Sequence, residues 1–353
     1  EMLTRICGGT FAVAAGDGHT GLAVGVPADF PTLGPVENLS ADDPLRRDDY
    51  LLRTHKDGVL LLGATPLAAR LAVWDLLARL GYRRFFPSKT WEVVPASPIL
   101  RLTADALERP DYAARRIWYG YGTWPENKPL YDEWCLRNRA AGSFTLNTGH
   151  AYDGIIAKNK ATFAAHPEFF ALVQGQRKPS KFCIANPELR TLVVEYAVKA
   201  FEAAPGLDSI SLDPSDGGGW CGCEECAQLG SVSDRVTLLA AEAAEAVTRR
   251  FGQRYIGMYA YHEHSPPPTQ ATVHPHVIMS VATAFIKGGY TVDQLIDGWR
   301  ARGANIFGIR EYYSVNTWDR DLPGAARGAN PAGLANSIPH FHAKGARMLS
   351  AES

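Results

Sequence analysis

From about residue 112 onward, short apolar runs rich in strand formers alternate with amphipathic helical segments, which restricts the fold to a parallel sheet with helical crossovers. The strand runs are Arg116–Tyr121, Phe144–Gly149, Ser209–Asp213, Tyr255–Tyr261, Val277–Thr283, Ile306–Arg310 and Arg347–Ala351. Helical periodicity falls on Tyr131–Ala141, Pro187–Ala203, Asp234–Phe251, Val292–Arg302 and Pro331–Lys344. In the third of these, Val236, Leu239, Ala240, Ala243, Ala246 and Val247 make one apolar stripe. Phe169–Val173 and Phe182–Ala185 flank Gln174-Gly175-Gln176-Arg177, which predicts an inserted hairpin. The pattern predicts an α/β fold, a (β/α)8 TIM-type barrel truncated before its eighth strand. A doubly wound open sheet is the alternative.

The front of the chain has a different rhythm. Phe11–Ala15, Leu22–Val26, Tyr50–Thr54 and Val59–Gly63 read as strands, with Asp57-Gly58 as a hairpin signal. Thr65-Pro66 opens a helix carrying Leu67, Leu71, Trp74 and Leu77, and Gly81 ends it. Pro87, Pro95 and Pro98 then lead toward Pro110. Two domains are expected: a small α/β domain over 1–105 and the barrel over 112–353. Gly16-Asp17-Gly18-His19-Thr20-Gly21 matches the dinucleotide pattern by letter, but a strand follows it. Without a helix N-terminus to receive a pyrophosphate it reads as a Gly-rich turn, so no nucleotide is expected.

Charge narrows the partners. Thirty-six basic against 37 acidic residues leave a net charge of -1, with no basic excess for a phosphate backbone, so nucleic acid is not expected. No apolar run approaches the ~20 residues of a membrane span. The chain opens within what reads as a helix and stops straight after a strand, so a fragment at both ends is expected and the compartment stays open.

Barrel chemistry sits at the carboxyl ends of the strands. Those ends carry Trp118, Tyr119 and Tyr121; Asn147 and His150; Asp213 and Asp216; Tyr261-His262-Glu263-His264; Arg310-Glu311-Tyr312-Tyr313 with Trp318 and Asp319; and Glu352. Aromatic rings stack on pyranose faces, and paired carboxyls move protons at a glycosidic bond. Trp118, Tyr121, His150, Asp213, Asp216, His262 and Tyr312 are therefore the substrate-binding candidates. Asp213 and Asp216 can equally shape their own loop.

The cysteines form a second signal. Cys223-x-x-Cys226 has metal-knuckle spacing, Cys221 is adjacent, and Cys183 lies on the hairpin arm before the third strand. Four thiolates would make a closed, structural zinc site with no position for catalysis. Disulfides and free thiols are the rival readings. Cys7 and Cys135 read as small buried residues. The pairs His262/His264, His274/His276 and His340/His342 lack a clear third ligand. No cofactor is expected for catalysis.

The run Phe182-Cys183-Ile184 before Asn186-Pro187-Glu188 and the run Ser211 to Cys226 with Asp213-Pro214-Ser215-Asp216-Gly217-Gly218-Gly219-Trp220 at its heart resemble the bacterial family called domain of unknown function 4838. So does Ser233-Asp234-Arg235-Val236. Gly63-Ala64-Thr65 and Gly81-Tyr82-Arg83-Arg84-Phe85-Phe86-Pro87 are similar to the small domain that precedes the barrel in α-glucuronidases and β-hexosaminidases. The resemblance implies a glycoside-hydrolase-like barrel, exported or periplasmic, that handles bacterial-environment polysaccharide. It supplies no catalytic pair. In many barrel glycosidases the acid/base ends strand four and the nucleophile ends strand seven, which here indicates Glu263 and Glu352, with Glu311 as substitute partner. The rival is a non-catalytic carbohydrate-binding barrel with a structural zinc loop.

Overall fold

The computed structural model describes residues 1–34, 36, 39–118, 124–313 and 330–352. They divide into two compact units, Glu1–Phe144 and Thr145–Glu352.

The first unit is a small α/β layer. Its strands are β1 (Gly21–Gly25), β2 (Tyr50–His55), β3 (Gly58–Gly63), the short β4 (Arg83–Arg84) and β5 (Glu92–Val93), β6 (Asp105–Glu108) and β7 (Ala114–Trp118). One sheet has the order β1-β3-β2-β6, with β1 parallel to β3 and the rest antiparallel. The helix Pro66–Arg79 starts where expected: Thr65 Oγ1 accepts the Ala68 N–H at 3.2 Å, and Pro66 occupies the first turn. Leu71, Ala72 and Leu76 of this helix pack on Tyr50, Leu52 and Leu61. The strand expected over Phe11–Ala15 does not form. No ladder partner covers it, and Phe11 and Val13 stand in solvent. The Gly16–Gly21 turn runs into β1 rather than a helix.

The second unit holds the parallel sheet. β8 (Phe170–Val173) and β9 (Gln176–Phe182) form a hairpin, followed by β10 (Ser209–Ser211), β11 (Tyr255–His262), β12 (Val277–Ile286), β13 (Ile306–Tyr312) and β14 (Ala346–Glu352). Gln174 and Gly175 both adopt positive φ, so the hairpin turn is the two-residue kind that matches strand twist. Its second arm is Gln176–Phe182, not Phe182–Ala185. The polar Gln176, Arg177 and Lys178 mimic a turn because they form the exposed part of the strand.

β10 through β14 are mutually parallel and lie side by side in chain order. This is the winding of a barrel wall; a doubly wound sheet reverses direction. The helices Pro187–Ala203, Val232–Phe251, Val292–Ala301 and Pro331–Ala343 supply the crossovers, while the β11–β12 connection has none. Helix starts follow capping chemistry. Asn186 Oδ1 accepts the Glu188 and Leu189 N–H groups at 2.9 and 3.0 Å. The third helix begins at Val232, with Ser231 and Asp234 bonded reciprocally in a capping box, so Asp234 is its third residue rather than its first.

The stretch expected as a second strand does not join by a regular ladder. Between 145 and 150 the Thr145 N–H goes to Asp208 Oδ2 and the Asn147 N–H to Ser209 Oγ, at 2.9 and 2.8 Å. Side-chain oxygens replace the usual carbonyls, and only His150 and Asp213 make a parallel bridge.

Register sorts the sheet into two faces. Ile256, Met258, Met279, Val281, Phe307 and Ile309 lie on one, buried, and Arg300 of the Val292–Ala301 helix covers Phe307 at 5.1 Å. The opposite face carries Gly257, Tyr259, Tyr261, Ser280, Gly308, Arg310, Tyr312, Ser350 and Glu352. Small residues are needed here: a Cβ at Gly257 would overlap the carbonyl oxygen of Asn147.

Candidate functional site

The polar face becomes a site at the carboxyl edge of β10–β14. Its centre is Asp213, just beyond β10 and fully buried. Asp213 Oδ1 accepts the Tyr259 N–H at 2.9 Å and stands 3.2 Å from His264 Nε2; Oδ2 stands 3.0 Å from His150 Nδ1. His150 Nδ1 also lies 2.6 Å from the Pro214 carbonyl oxygen, so that nitrogen carries a proton and donates. Burial alone would raise the Asp213 pKa, but the imidazole and backbone donors hold it below the ordinary carboxylate range. The same bond to Asp213 raises the His150 pKa against the opposing effect of burial. The result is an ionised carboxylate cross-tied between two imidazoles.

Asp216 is exposed at the rim. It accepts the Tyr261 hydroxyl at 3.1 Å and the Gly217 N–H at 2.8 Å. Burial pushes its pKa up, and these donors bring it below the ordinary value. Tyr261 itself is raised by burial and by the Asp216 charge. An aromatic chain continues from there. Tyr261 lies 5.8 Å from the His150 ring and 5.6 Å from Phe285, which lies 5.6 Å edge-on to Tyr312. Tyr312 is approached by Arg310 at 5.7 Å, and Arg310 forms an ion pair with Glu352.

β11 ends in a left-handed residue, His262, and β12 has one, Phe285, just before its last residue. Side chains bulkier than glycine adopt that conformation at a cost, so the bend is imposed by the surroundings. At His262 it turns the chain away from β11 just before Glu263. Glu263 is consequently exposed, with its carboxylate 3.7 Å from His262 Nδ1 and 4.0 Å from Lys287 Nζ. Glu311 lies on the same side of β13 as Phe307 and Ile309, opposite to Tyr312, and accepts the Thr283 hydroxyl at 2.8 Å. Among the sequence candidates, His150, Asp213, Asp216 and Tyr312 converge; Glu352 shares the polar face; Glu311 does not; Glu263 stands beside the edge on its turn. Trp118 ends β7 in the first unit, 42% exposed. Tyr119, Tyr121, Trp318 and Asp319 lie outside the described residues.

Lys181, Trp220, Tyr259, Tyr261 and Phe285 complete the site, and the sequence reading did not single out Lys181 or Trp220 as site residues. Lys181 is fully buried, donates to the carbonyls of Ser215 and Asp216, the latter at 2.9 Å, and lies over the Trp220 ring at 5.3 Å. An ammonium buried without a carboxylate partner costs several kcal/mol; the two carbonyls and the ring offset part of this. Burial lowers its pKa. No local sequence signal marks Lys181, because its carbonyl partners lie in a loop 34 residues later.

The four cysteines meet behind this loop. Cys183 Sγ lies 3.7 Å from Cys223 Sγ and 3.9 Å from Cys226 Sγ, Cys221 Sγ lies 3.4 Å from Cys223 Sγ, and all four sulfurs fall within 4.8 Å of one another. None of the six cysteines is disulfide-bonded. A tetrahedral zinc with ~2.3 Å bonds places its sulfurs ~3.8 Å apart, so the cluster fits a metal ion. The Leu172, Ala185 and Cys226 N–H groups point at Cys221, Cys226 and Cys223 sulfurs at 3.2, 3.4 and 3.4 Å, the outer support that thiolate ligands use. His166, Glu168 and Glu188 form a second, more exposed group of possible ligands. Among the described residues the three His-x-His pairs join no such group. Cys7 and Cys135 are half-buried.

A parallel α/β sheet with carboxylates, imidazoles and tyrosines gathered on its carboxyl edge is the general form of a barrel-type active-site face. The chain belongs to the family described as Domain of unknown function (DUF4838), whose profile matches residues 86–302. A search of curated proteins finds no significant match. Among solved structures it is similar, at 12% identity, to a β-N-acetylhexosaminidase from Bacteroides fragilis, with a TM-score of 0.48 over 86% of this chain and 71% of that one. An N-acetyl-β-hexosaminidase from Streptomyces plicatus, also 12% identical, gives 0.43 over 99% and 76%. Endo-glycoceramidase II from Rhodococcus sp., again 12% identical, gives 0.32 over 66% and 61%. No helix among the described residues is long and apolar enough to cross a membrane.

Proposed function

We propose that this chain is a glycoside hydrolase acting on an oligosaccharide or polysaccharide of the bacterial environment, in an exported or periplasmic setting, through carboxyl acid/base chemistry. The parallel sheet is read as part of an eight-unit barrel. The carrying observation is the edge itself: Asp213 held ionised between two imidazoles, with Asp216, Tyr261, Phe285 and Tyr312 gathered around it. Fixed acceptors beside aromatic rings suit a sugar, whose hydroxyls need hydrogen bonds and whose ring faces need apolar cover. Glu263 is the proposed proton donor and Glu352 the favoured partner, because Glu352 shares a face with Tyr312 whereas Glu311 points the other way. The four-thiol cluster is read as a structural zinc site, with no part in the chemistry.

One observation favours the non-catalytic reading. Asp213 and Asp216 are both held below the usual carboxylate range, so neither stores a proton near neutral pH. Catalysis then depends on Glu263. Turnover against a panel of aryl glycosides and oligosaccharides separates the readings. A hydrolase releases sugar, and Glu263→Gln lowers turnover ~100-fold or more, as expected for a general acid. Binding of oligosaccharide by the unaltered protein with no turnover on any substrate supports the binding module instead.

A further inference from the structure

The loop from Pro214 to Trp220 carries Asp216 to the rim, yet it has little to hold its own shape. It contains Gly217-Gly218-Gly219, with Gly217 and Gly219 at positive φ. Glycines in that conformation confer freedom, not stiffness. Its one internal tie is the Gly217 N–H to its neighbour's carboxylate. Besides the His150 bond to the Pro214 carbonyl and the Tyr261 bond to Asp216, its restraints come from two anchors, one on β9 and one directly after its end. At the front, Lys181 of β9 donates to the Ser215 and Asp216 carbonyls. At the back, Cys183, two residues further along, joins the cluster of Cys221, Cys223 and Cys226. The two anchors are thus only two residues apart in the chain, Lys181 on β9 and Cys183 just past its last residue. Cys221 follows Trp220 directly. Gly222 reinforces the back anchor by donating its N–H to the Leu172 carbonyl of β8 at 2.8 Å.

Trp220 lies between these anchors. Its ring meets Lys181 on one side and the buried His264 ring at 5.7 Å. Its Nε1–H, Ser215 Oγ and His264 Nδ1 are enclosed and have no protein partner among the described residues. His264 in turn holds Asp213. The position of the loop is therefore coupled, through Trp220 and His264, to the carboxylate at the centre of the edge.

We propose that metal occupancy of the Cys183–Cys221–Cys223–Cys226 cluster, acting together with the buried Lys181, clamps the 214–220 loop and sets the position of Asp216 and Trp220. The inference rests on the structural-zinc reading but not on glycosidase activity. Four sulfurs bonded to one metal lock the back anchor; without the metal they meet only through weak sulfur contacts and let it drift. Lys181 is a positioning residue.

The test uses the full chain. Zinc is counted by elemental analysis, then removed with a thiol-reactive mercurial and a chelator, and restored with zinc chloride. Trp220 emission is isolated by subtracting the signal of Trp220→Phe. Amide exchange is followed at Leu172 and Gly222 and across β11–β13. The expected result is about one zinc per chain. Its removal changes Trp220 emission and speeds exchange at Leu172 and Gly222 roughly tenfold or more, with β11–β13 still protected, as for a local opening. Added zinc reverses both changes. A chain that neither carries nor takes up zinc refutes the zinc reading itself. A chain that carries zinc but keeps its Trp220 emission after removal refutes the clamp and leaves the zinc site standing. Loss of protection throughout the unit refutes a local clamp in favour of a general staple. Lys181→Met supplies the second arm: retained zinc with altered Trp220 emission is expected, and retained zinc with unaltered emission overturns the role of Lys181.

Discussion

Replacing Asp213 by Asn is the sharpest test of the central cross-tie. The side chain keeps its size, so packing is preserved and the charge alone is removed. Asn retains one acceptor oxygen, which can serve the Tyr259 N–H. Its amide then faces His150 Nδ1, which is itself a donor, and the bonds from His150 and His264 cannot both survive. Hydrogen bonds to a charged group are worth about 1.5–3 kcal/mol each. The His150 side chain is 37% exposed, so its share is screened and counts as about 1 kcal/mol. The His264 side, 3% exposed against a fully buried carboxylate, carries about 2–3 kcal/mol. The two together carry about 3–4 kcal/mol. One of the two bonds survives on the remaining oxygen in weakened, uncharged form, so the loss is about 2 kcal/mol of that total, or about 6 °C in melting temperature for a unit of this size. The pH profile adds a signature. The folded pKa of His150 is raised above 6.5, so its contribution is complete below that value and is lost as pH rises through the higher folded pKa. The folded pKa of Asp213 is below 3.8, so its contribution is present above 3.8 and is lost as pH falls through the lower folded pKa. Thermal melts of wild type and variant should therefore diverge most between those limits, converge in acid as Asp213 loses its charge, and keep part of their difference on the alkaline side, where Asp213 stays ionised and only the His150 share is lost. A uniform small shift of about 2 °C or less at every pH would show that the two imidazoles do not hold Asp213 as described.

Other consequences are simpler. Asp234 accepts from Ser231, Thr269, Gln270 and Ala271, which together hold its pKa well down against burial; Asp234→Ala should cost about 3 kcal/mol in urea unfolding. Because that pKa is lowered, the stability it contributes is present above 3.8 and lost in acid, so the variant should show a shallower decline below that pH. Gly257→Ala should yield little folded protein, since its Cβ has no room beside the Asn147 carbonyl; normal expression and melting would contradict the described packing. Asn186→Ala should lower stability by about 1 kcal/mol through loss of the helix cap, read in the same unfolding assay.

Local chemistry made much of the architecture legible in the sequence. Thr65 starts its helix because an oxygen three residues away satisfies an otherwise unpaired amide, an interaction wholly contained in a short segment; Asn186 and the Ser231/Asp234 box work the same way, though the box places its helix start at Val232 and not at the expected Asp234. The alternation of apolar runs and amphipathic helices likewise announced a parallel sheet, and the cysteine spacing announced a cluster. The tertiary structure decided what lies far apart in sequence. Strand alternation turns Glu311 away from Tyr312 wherever the two share a strand, but only inter-strand register places Glu352 beside Tyr312 on the same face. The stretch over 145–150 has strand-like composition, but Asp208 and Ser209 capture its amides. Lys181 looks like a surface residue in sequence. It is buried because a loop 34 residues later brings it two carbonyls and a tryptophan ring, and no local signal encodes that approach.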